Sequence, residues 1–363
     1  MPPAPNTLFC RKTMKMENFV LIVFAGAALA FGHLVFCFFK GQKAAPDRSP
    51  SWRRLIAGNM LILLFLVALF LTCGEVYYRF IYDGTDAYML SKTSRRWLHR
   101  HYHLNGSEAR DSIEYLWKIQ PGMRRITFLG DSFTVGHGIK NVEDRFANLI
   151  RNRRPDWEVH VLAQNGLETG NHLGLIGKQL RSSYEFDTVV LVYVLNDISD
   201  LATDYWLRAM DRVTQSWKLS PFLGESYFVN TWYYRLRIVL DPDLKDYFHF
   251  VKDWYQQSLW ETEEQRLRLL HEIISRRGGR MMVVTFPFMQ SAGDAYPFRE
   301  IHAQLDTFWR GLNVPHLDLS DTLLRHPARK LVVNRFDAHP NERAHALAAE
   351  AIEEFIQSRM PGP

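Results

Sequence analysis

The chain has 363 residues, 47% of them hydrophobic, and a formal net charge of +5 at pH 7. This length leaves room for one or two domains, and so mild a positive charge gives no indication of a nucleic-acid partner. The three cysteines are Cys10, Cys37 and Cys73, so the chain beyond residue 73 has neither a disulfide framework nor a cysteine nucleophile. No zinc, Walker or dinucleotide-binding spacing is present, so neither a metal nor a cofactor is expected.

Two apolar segments near the amino terminus predict a pair of membrane-spanning helices. Residues 19–39 and residues 55–73 are each long enough, as helices, to cross the roughly 30 Å hydrocarbon core of a bilayer. A cleaved signal peptide is the alternative for the first segment, but its apolar stretch is too long and no small-residue cleavage pattern follows it. We therefore expect a tail at residues 1–18 and a helical hairpin with a loop at residues 40–54.

The orientation of this hairpin follows from the basic residues beside it. The loop contains more of them than either other flank: Lys40, Lys43, Arg48, Arg53 and Arg54. Because basic loops stay on the cytoplasmic side, the loop should be cytoplasmic and both termini should lie outside the cytoplasm. The sequence thus predicts a multi-pass protein of the inner (cytoplasmic) membrane whose carboxyl-terminal domain faces the periplasm or the cell exterior.

Beyond a connector at residues 74–123, strand patterns alternate with helix patterns. One strand is expected directly before Gly130, and four more at residues 158–163, 187–195, 280–288 and 316–319. Helices are expected at residues 142–153, 171–183, 262–277, 298–311 and 341–360. This alternation predicts an α/β domain at residues 124–363, with a mainly parallel five-stranded sheet covered on both faces.

One stretch, at about residues 200–261, does not fit the alternation. It is rich in Trp, Tyr, Phe and Arg, and a long insertion between sheet elements often carries substrate contacts. A helical cap packed by its own aromatic side chains is the alternative interpretation of this insertion.

The first strand stops at Gly130-Asp131-Ser132 and so presents a serine at its carboxyl end. Chemistry in open α/β sheets lies just beyond the carboxyl ends of the strands, which makes Ser132 the candidate nucleophile. Taken alone, the motif is an ordinary turn in which Asp131 accepts hydrogen bonds from nearby backbone N–H groups. His137 lies close by in sequence, but no carboxylate is paired with it, so it is interpreted as a surface-loop residue.

A carboxylate and an imidazole stand together near the carboxyl terminus, in Asp337-Ala338-His339. Residues two apart in an extended chain point to the same side, so Asp337 can orient His339 and stabilise its protonated form. A serine hydroxyl needs such an adjacent base to become a good nucleophile. Pro340 is expected as the first residue of the last helix, with His339 at the cap.

Two further positions are suited to stabilising an oxyanion. Gly166 follows the second strand, where its backbone N–H can approach a substrate closely. Asn196 follows the third strand, and its side-chain amide can donate to a developing negative charge. We expect the strand ends at Ser132, Gly166 and Asn196 to lie side by side in one parallel sheet.

With these residues in this order, residues 105–358 of the chain resemble the SGNH hydrolases, also called the GDSL esterase and lipase family. The resemblance implies a three-layer, flavodoxin-like α/β domain, here preceded by two transmembrane helices. It implies that Ser132 attacks an acyl group, that His339 is its base and that Asp337 orients the base. It also implies that the Ser132 N–H, the Gly166 N–H and the Asn196 amide bind the oxyanion.

One position departs from the family pattern. The family's commonest carboxylate lies three residues before the histidine, where this chain has Phe336, whereas Asp337 lies two residues before it. The shorter spacing also occurs in family members that act on extracytoplasmic polysaccharides, so Asp337 keeps the orienting role.

The resemblance and the membrane hairpin together favour a membrane-anchored, extracytoplasmic serine esterase or O-acyltransferase. It would act through an acyl-serine on O-acetyl groups of cell-surface glycans. A lipid esterase or thioesterase at the membrane is one alternative, and a non-catalytic glycan-binding component of an envelope assembly is another. The expected partners are an acylated glycan or lipid substrate and the bilayer, with no nucleic acid.

Overall fold

The computed structural model describes residues 7–43, 51–180, 183–215, 219–245, 247–256, 258–291 and 296–360. Residues 1–6 of the predicted tail, residues 44–50 of the predicted basic loop and residues 181–182 of a predicted helix lie outside the described residues. The chain divides into two compact units. The first is Met1–Gly84, Met89–Arg96 and Val213–Val239, and the second is Thr85–Tyr88, Trp97–Arg212 and Leu240–Pro363.

The helices take up most of the described chain. In chain order they are α1 (Thr7–Lys43), α2 (Trp52–Val76), α3 (Lys92–His101), α4 (Ser132–Val135), α5 (Phe146–Arg153), α6 (Thr169–Leu180), α7 (Thr203–Gln215), α8 (Pro221–Gly224), α9 (Tyr227–Leu240), α10 (Pro242–Lys245), α11 (Tyr247–Trp254), α12 (Ser258–Arg276), α13 (Arg299–Gly311), α14 (Ser320–Leu323) and α15 (Glu342–Arg359). The described part of the insertion at residues 200–261 is therefore mainly helical, with short non-helical connections between its helices.

The first unit contains the two long apolar helices. Its stretches Met16–Gly41 and Trp52–Ile81 are each long and apolar enough to cross a membrane. The second stretch runs through α2 into a π-helical turn at Tyr77–Ile81. Two apolar helices are thus present as predicted, and both stretches are longer than the segments expected from the sequence.

The second unit is built on a five-stranded parallel sheet in the order β2–β1–β3–β4–β5. The strands are β1 (Arg124–Gly130), β2 (Trp157–Ala163), β3 (Thr188–Val194), β4 (Arg280–Phe286) and β5 (His316–Asp318). Every residue of β2 and β3 is buried, as expected for a sheet that helices cover on both faces. This is the flavodoxin-like strand order, so the predicted α/β fold with a five-stranded parallel sheet is confirmed.

Two short antiparallel strands, β6 (Val332–Asn334) and β7 (Asp337–Pro340), precede the last helix. The expectation for Pro340 is wrong, because this residue ends β7 and does not begin α15. Asn341 is the N-cap, and its side chain accepts a hydrogen bond from the Ala344 N–H at 3.1 Å. The extended backbone of β7 is what presents the carboxylate and the imidazole of the candidate site.

Candidate active site

Ser132 lies just beyond the carboxyl end of β1, as the first residue of α4. Asp131 caps this short helix, because its side chain accepts a hydrogen bond from the Phe133 N–H at 2.9 Å. Gly130 permits the tight turn, since a Cβ there would lie 2.1 Å from the hydroxyl oxygen of Thr134. The turn thus holds the half-buried Ser132 hydroxyl at the edge of the sheet.

Ser132, His339 and Asp337 form a continuous series of hydrogen bonds. Oγ of Ser132 lies 2.9 Å from Nε2 of His339, and Nδ1 of the same ring lies 2.5 Å from Oδ1 of Asp337. The His339 backbone N–H also donates to this carboxylate oxygen, at 3.1 Å. Such an arrangement lets the imidazole remove a proton from the serine while the carboxylate fixes the tautomer of the ring.

Asp337 is almost fully buried and is surrounded by hydrogen-bond donors. Its Oδ2 accepts a hydrogen bond from the Thr85 hydroxyl, and Nε2 of His137 lies 3.4 Å from the same oxygen. Burial by itself would raise the pKa of Asp337, but His339 and His137 outweigh burial and hold this pKa well below its usual value. The carboxylate is therefore ionised at neutral pH.

His339 is shifted in the opposite direction. Burial lowers the pKa of this imidazole, but the charge and the hydrogen bond of Asp337, with a smaller contribution from Asp131, raise it above its usual value. His339 is consequently a stronger base than an isolated histidine. This property suits it to accepting the Ser132 proton.

His137 lies inside the site, so its interpretation as a surface-loop residue is wrong: its side chain is only 1% exposed. Gly136 and Gly138 on either side have φ of 75° and 86°, and these left-handed conformations turn the intervening imidazole inward. Its ring centroid lies 4.4 Å from that of His339 and 5.7 Å from that of Trp97. Burial, and then the charge of His339, lower the pKa of His137, which is therefore neutral.

Thr85 is the second site residue that the sequence interpretation missed. It is fully buried and lies 252 residues before the aspartate it contacts, so no local pattern marks it. For His137 there was a signal, because a histidine between two glycines is suited to a tight reversal of the chain.

The two candidate oxyanion residues follow the strands on either side of β1. The carboxyl ends of β1, β2 and β3 are neighbours in one parallel sheet, so the prediction that these strand ends lie side by side is confirmed. Gly166 has φ of 72°, and apart from Gly166 and its two chain neighbours no heavy atom of the described residues lies within 4 Å of where its Cβ would be. Within the described part of the chain, the half-buried Asn196 side chain makes no hydrogen bond. Both groups therefore have room to donate to a bound substrate.

Two buried acids lie near the nucleophile. Oδ2 of Asp131 is 3.3 Å from the Ser132 hydroxyl oxygen, and burial raises the pKa of Asp131 to about 6 in spite of its hydrogen bond from Phe133. Burial, and then the charge of Asp131, raise the pKa of Asp197 well above its usual value. At neutral pH the negative charge of Asp131 thus helps Asp337 to raise the pKa of His339.

The same cluster has the composition of a metal site. His137, Asp337 and His339 each offer one ligand atom, and these atoms lie within 4.8 Å of one another. Both oxygens of Asp337 are already engaged, however, one by His339 and the other by Thr85. A metal ion here would have to replace the hydrogen bond that orients His339, so the contacts fit proton transfer better than metal binding.

Neither a protein-family model nor a curated protein sequence matches the chain. Among solved structures, it is similar to a lipolytic G-D-S-L family protein from Veillonella parvula, with a TM-score of 0.41 and 16% identity over 66% of this chain and 100% of that one. It is similar to an extracellular lipase from Streptomyces rimosus, with a TM-score of 0.39 and 16% identity over 65% and 100% of the two chains. A two-domain esterase active on acetylated mannans is a third neighbour, with a TM-score of 0.38 and 18% identity over 66% of this chain and 52% of that one. These structural neighbours are lipases and esterases.

Proposed function

We propose that this chain is a membrane-anchored serine esterase or O-acyltransferase in which Ser132 carries the acyl group between two half-reactions. The observation that supports this most strongly is the hydrogen-bonded series from Ser132 through His339 to Asp337, at 2.9 and 2.5 Å. A serine hydroxyl beside an imidazole of raised pKa is suited to nucleophilic attack on a carbonyl.

In the first half-reaction, Nε2 of His339 takes the hydroxyl proton while Oγ of Ser132 forms a bond to the acyl carbonyl carbon. The π electrons of the carbonyl move to its oxygen, which accepts hydrogen bonds from the backbone N–H groups of Ser132 and Gly166 and from the Asn196 amide. When the carbonyl re-forms, the ester C–O bond breaks and the leaving alkoxide takes the proton from His339. The products are an acyl-serine and an alcohol.

In the second half-reaction, a hydroxyl group attacks the acyl-serine. Its proton passes to His339, its oxygen bonds to the acyl carbon, and the Ser132 oxygen leaves with the proton from the imidazole. If the attacking group is water, the reaction is hydrolysis, and if it is a sugar hydroxyl, the reaction is O-acyl transfer. Asp337 stays ionised throughout and stabilises the imidazolium in both steps.

The substrate part of the proposal is an O-acetyl group on a cell-surface glycan. The spacing of two between Asp337 and His339 supports it, because that spacing resembles family members acting on extracytoplasmic polysaccharides. Two stretches able to cross a membrane, Met16–Gly41 and Trp52–Ile81, support attachment of the domain to a bilayer. The proposed location is the inner membrane, with the catalytic unit facing the periplasm or the cell exterior.

A serine-reactive fluorophosphonate tests the nucleophile directly. The full-length protein in detergent should be labelled, and Ser132→Ala should lose the label. Ser320→Ala is the matched control, because the Ser320 hydroxyl oxygen also lies 3.0 Å from a histidine, Nδ1 of His302, yet outside the proposed site. Labelling of folded Ser132→Ala at the wild-type rate would refute the proposal.

Substrate class is then tested with wild-type protein that has not been treated with the fluorophosphonate. Release of acetate from an O-acetylated glycan, or its transfer to a glycan hydroxyl, is the expected result. A strong preference for long-chain p-nitrophenyl esters over p-nitrophenyl acetate would instead favour a lipid esterase.

A further inference from the structure

The helix α9 is inverted relative to a helix at the surface of a water-soluble protein. Its buried side chains are polar, namely Asn230, Thr231 and Arg235. Its exposed large side chains are all aliphatic, namely Leu236, Val239 and Leu240, which are 52%, 56% and 75% exposed. A soluble helix buries its apolar face and exposes its polar one. The outer face of α9 is therefore built for a non-aqueous environment.

The buried polar residues of α9 face inward because they have partners inside the first unit. The Arg235 guanidinium donates hydrogen bonds to the hydroxyls of Tyr78 and Tyr82, at 3.0 and 2.6 Å. The Asn230 side-chain oxygen accepts a hydrogen bond from the Lys92 N–H at 2.8 Å. These contacts satisfy the polar groups without water, so the rotation of α9 is fixed by the unit itself.

The start of α9 is attached to the second apolar stretch through Glu75. This glutamate is fully buried, and its carboxylate accepts hydrogen bonds from the Ser226 hydroxyl at 2.6 Å and from the N–H groups of Tyr227 and Phe228 at 3.1 Å. A carboxylate at a helix amino terminus satisfies free N–H groups and interacts favourably with the helix dipole. A charged residue in a stretch otherwise suited to crossing a membrane is thereby accounted for.

Aromatic contacts attach the same segment to both apolar stretches. The Phe228 ring lies 5.3 Å from that of Phe70, and it fits against Gly74, where a Cβ would come within 2.7 Å of it. In α8, the Phe222 ring lies 6.1 and 6.3 Å from the rings of Phe19 and Phe24. The contacts lie toward the start of the first apolar stretch, Met16–Gly41, and toward the end of α2. A membrane hairpin places these two ends at one bilayer surface.

We infer that residues 221–239 are a third membrane-embedded element, lying in the interface of the bilayer with Leu236 and Val239 facing lipid. The inference rests on the proposed membrane anchoring, because the partners of this segment belong to the two stretches that would span the bilayer. Phe80 and Ile81, at the end of the second stretch, are also 60% and 65% exposed, which extends the apolar surface of this unit. The chain thus leaves the sheet after β3, returns to the membrane, and re-enters the sheet at β4.

Spin labelling in lipid vesicles tests the inference. The three native cysteines, Cys10, Cys37 and Cys73, are first replaced by serine. A single cysteine is then introduced by Leu236→Cys or Val239→Cys, and its thiol is labelled with a nitroxide. Two controls are labelled in the same way: Val67 in the second apolar stretch, which is 46% exposed, and Leu269 on α12 of the other unit, which is 45% exposed. Labels at Leu236 and Val239 should resemble Val67 in that relaxation by oxygen exceeds relaxation by a water-soluble nickel complex, with a smaller excess at the depth of the interface. The label at Leu269 should show the reverse.

The controls separate failure of the inference from failure of the anchoring. If Val67 is in lipid while Leu236 and Val239 are in water, the third element is refuted and the anchoring stands. If Val67 is also in water, the proposed anchoring fails and the inference fails with it. Dipolar broadening between labels at Leu236 on two molecules would show that a second copy covers this face, which also refutes the inference. Circular dichroism of each labelled variant checks that it is folded.

Discussion

At the scale of single residues, the charge of Asp337 determines the basicity of His339. The proposed reaction needs a neutral His339, and Asp337 raises the pKa of this imidazole. On the acidic side of the pH profile, kcat/KM should therefore fall at a higher pH than it would for a histidine of ordinary pKa. In Asp337→Asn that charge is lost, so this decline should move to lower pH while turnover falls by up to about 10⁴-fold. The pH profile on p-nitrophenyl acetate measures both effects, with exposed Asp321→Asn as the control. An unchanged pH profile would show that Asp337 does not orient or charge-stabilise His339 in the reaction.

Thr85 permits a second test at this scale, because valine has nearly the shape of threonine without its hydroxyl. In Thr85→Val the buried carboxylate of Asp337 loses one donor. A hydrogen bond to a charged group contributes about 1.5–3 kcal/mol, so the thermal midpoint should fall, and turnover should fall with it. Thr85→Ser keeps the hydroxyl and should retain most of both. Equal loss in the two variants would assign the effect to packing.

The residues of this site differ in how far the sequence could predict them. Ser132 stands in a short motif just beyond the end of β1, and Asp337 and His339 stand in a short motif directly before the last helix, so the sequence itself indicates their positions. The inward direction of His137 depends on two left-handed glycines, and a run of residues does not report φ directly. Thr85 meets Asp337 only through the tertiary fold, so nothing near it in sequence could indicate its role.

At the scale of elements, a buried ion cluster joins the connector to α5. Asp111 accepts hydrogen bonds from Arg151 at 2.9 and 2.6 Å and from the Tyr115 hydroxyl at 2.5 Å, and lies 3.2 Å from Arg145. Burial would raise the pKa of Asp111, but Arg151 and Arg145 hold it well below its usual value. The stability this contributes is present above the unfolded pKa of about 4 and is lost as the pH falls below it.

Removing Asp111 therefore leaves buried arginine charge without its partner. We expect Asp111→Ala to lower the free energy of unfolding at pH 7 by about 3–5 kcal/mol, measured by denaturant titration. Asp156→Ala is the control, because its partner Arg154 forms a more exposed pair that is expected to contribute about 1 kcal/mol or less. Similar losses in both variants would show that the Asp111 cluster is no stronger than a surface pair.

The elements themselves were predictable to different degrees. The strands were found because apolar runs ending at turn residues are typical of a sheet buried on both faces. The prediction of one helix at residues 142–153 is wrong for its first turn, because Val142–Asp144 forms a separate 3₁₀ turn before α5. In α9, polar residues are buried and aliphatic ones exposed, so the usual helical pattern is inverted and the sequence of the insertion gave no clear helix.

At the scale of the whole molecule, the first unit is assembled from three separate parts of the chain: Met1–Gly84, Met89–Arg96 and Val213–Val239. The apolar hairpin is thus not a simple appendage at the amino terminus. The chain returns to it after β3, between the strand that precedes Asn196 and the strand β4. The proposed membrane attachment therefore involves the same chain path that forms the sheet.

Orientation is the property of the whole molecule that decides where the proposed chemistry takes place. The 40–54 loop holds five basic residues, and basic loops are retained in the cytoplasm. Alkaline phosphatase, which is active only outside the cytoplasm, should therefore be active when fused after Pro363 and inactive when inserted in the loop. Green fluorescent protein exported in the unfolded state should give the reverse pattern. Replacing Lys40, Lys43, Arg48, Arg53 and Arg54 with glutamine should weaken the asymmetry, since it removes the charges that fix the loop inside. If phosphatase is instead active in the loop and silent after Pro363, the acyl transfer proposed for Ser132 takes place in the cytoplasm and a cell-surface glycan is not its substrate.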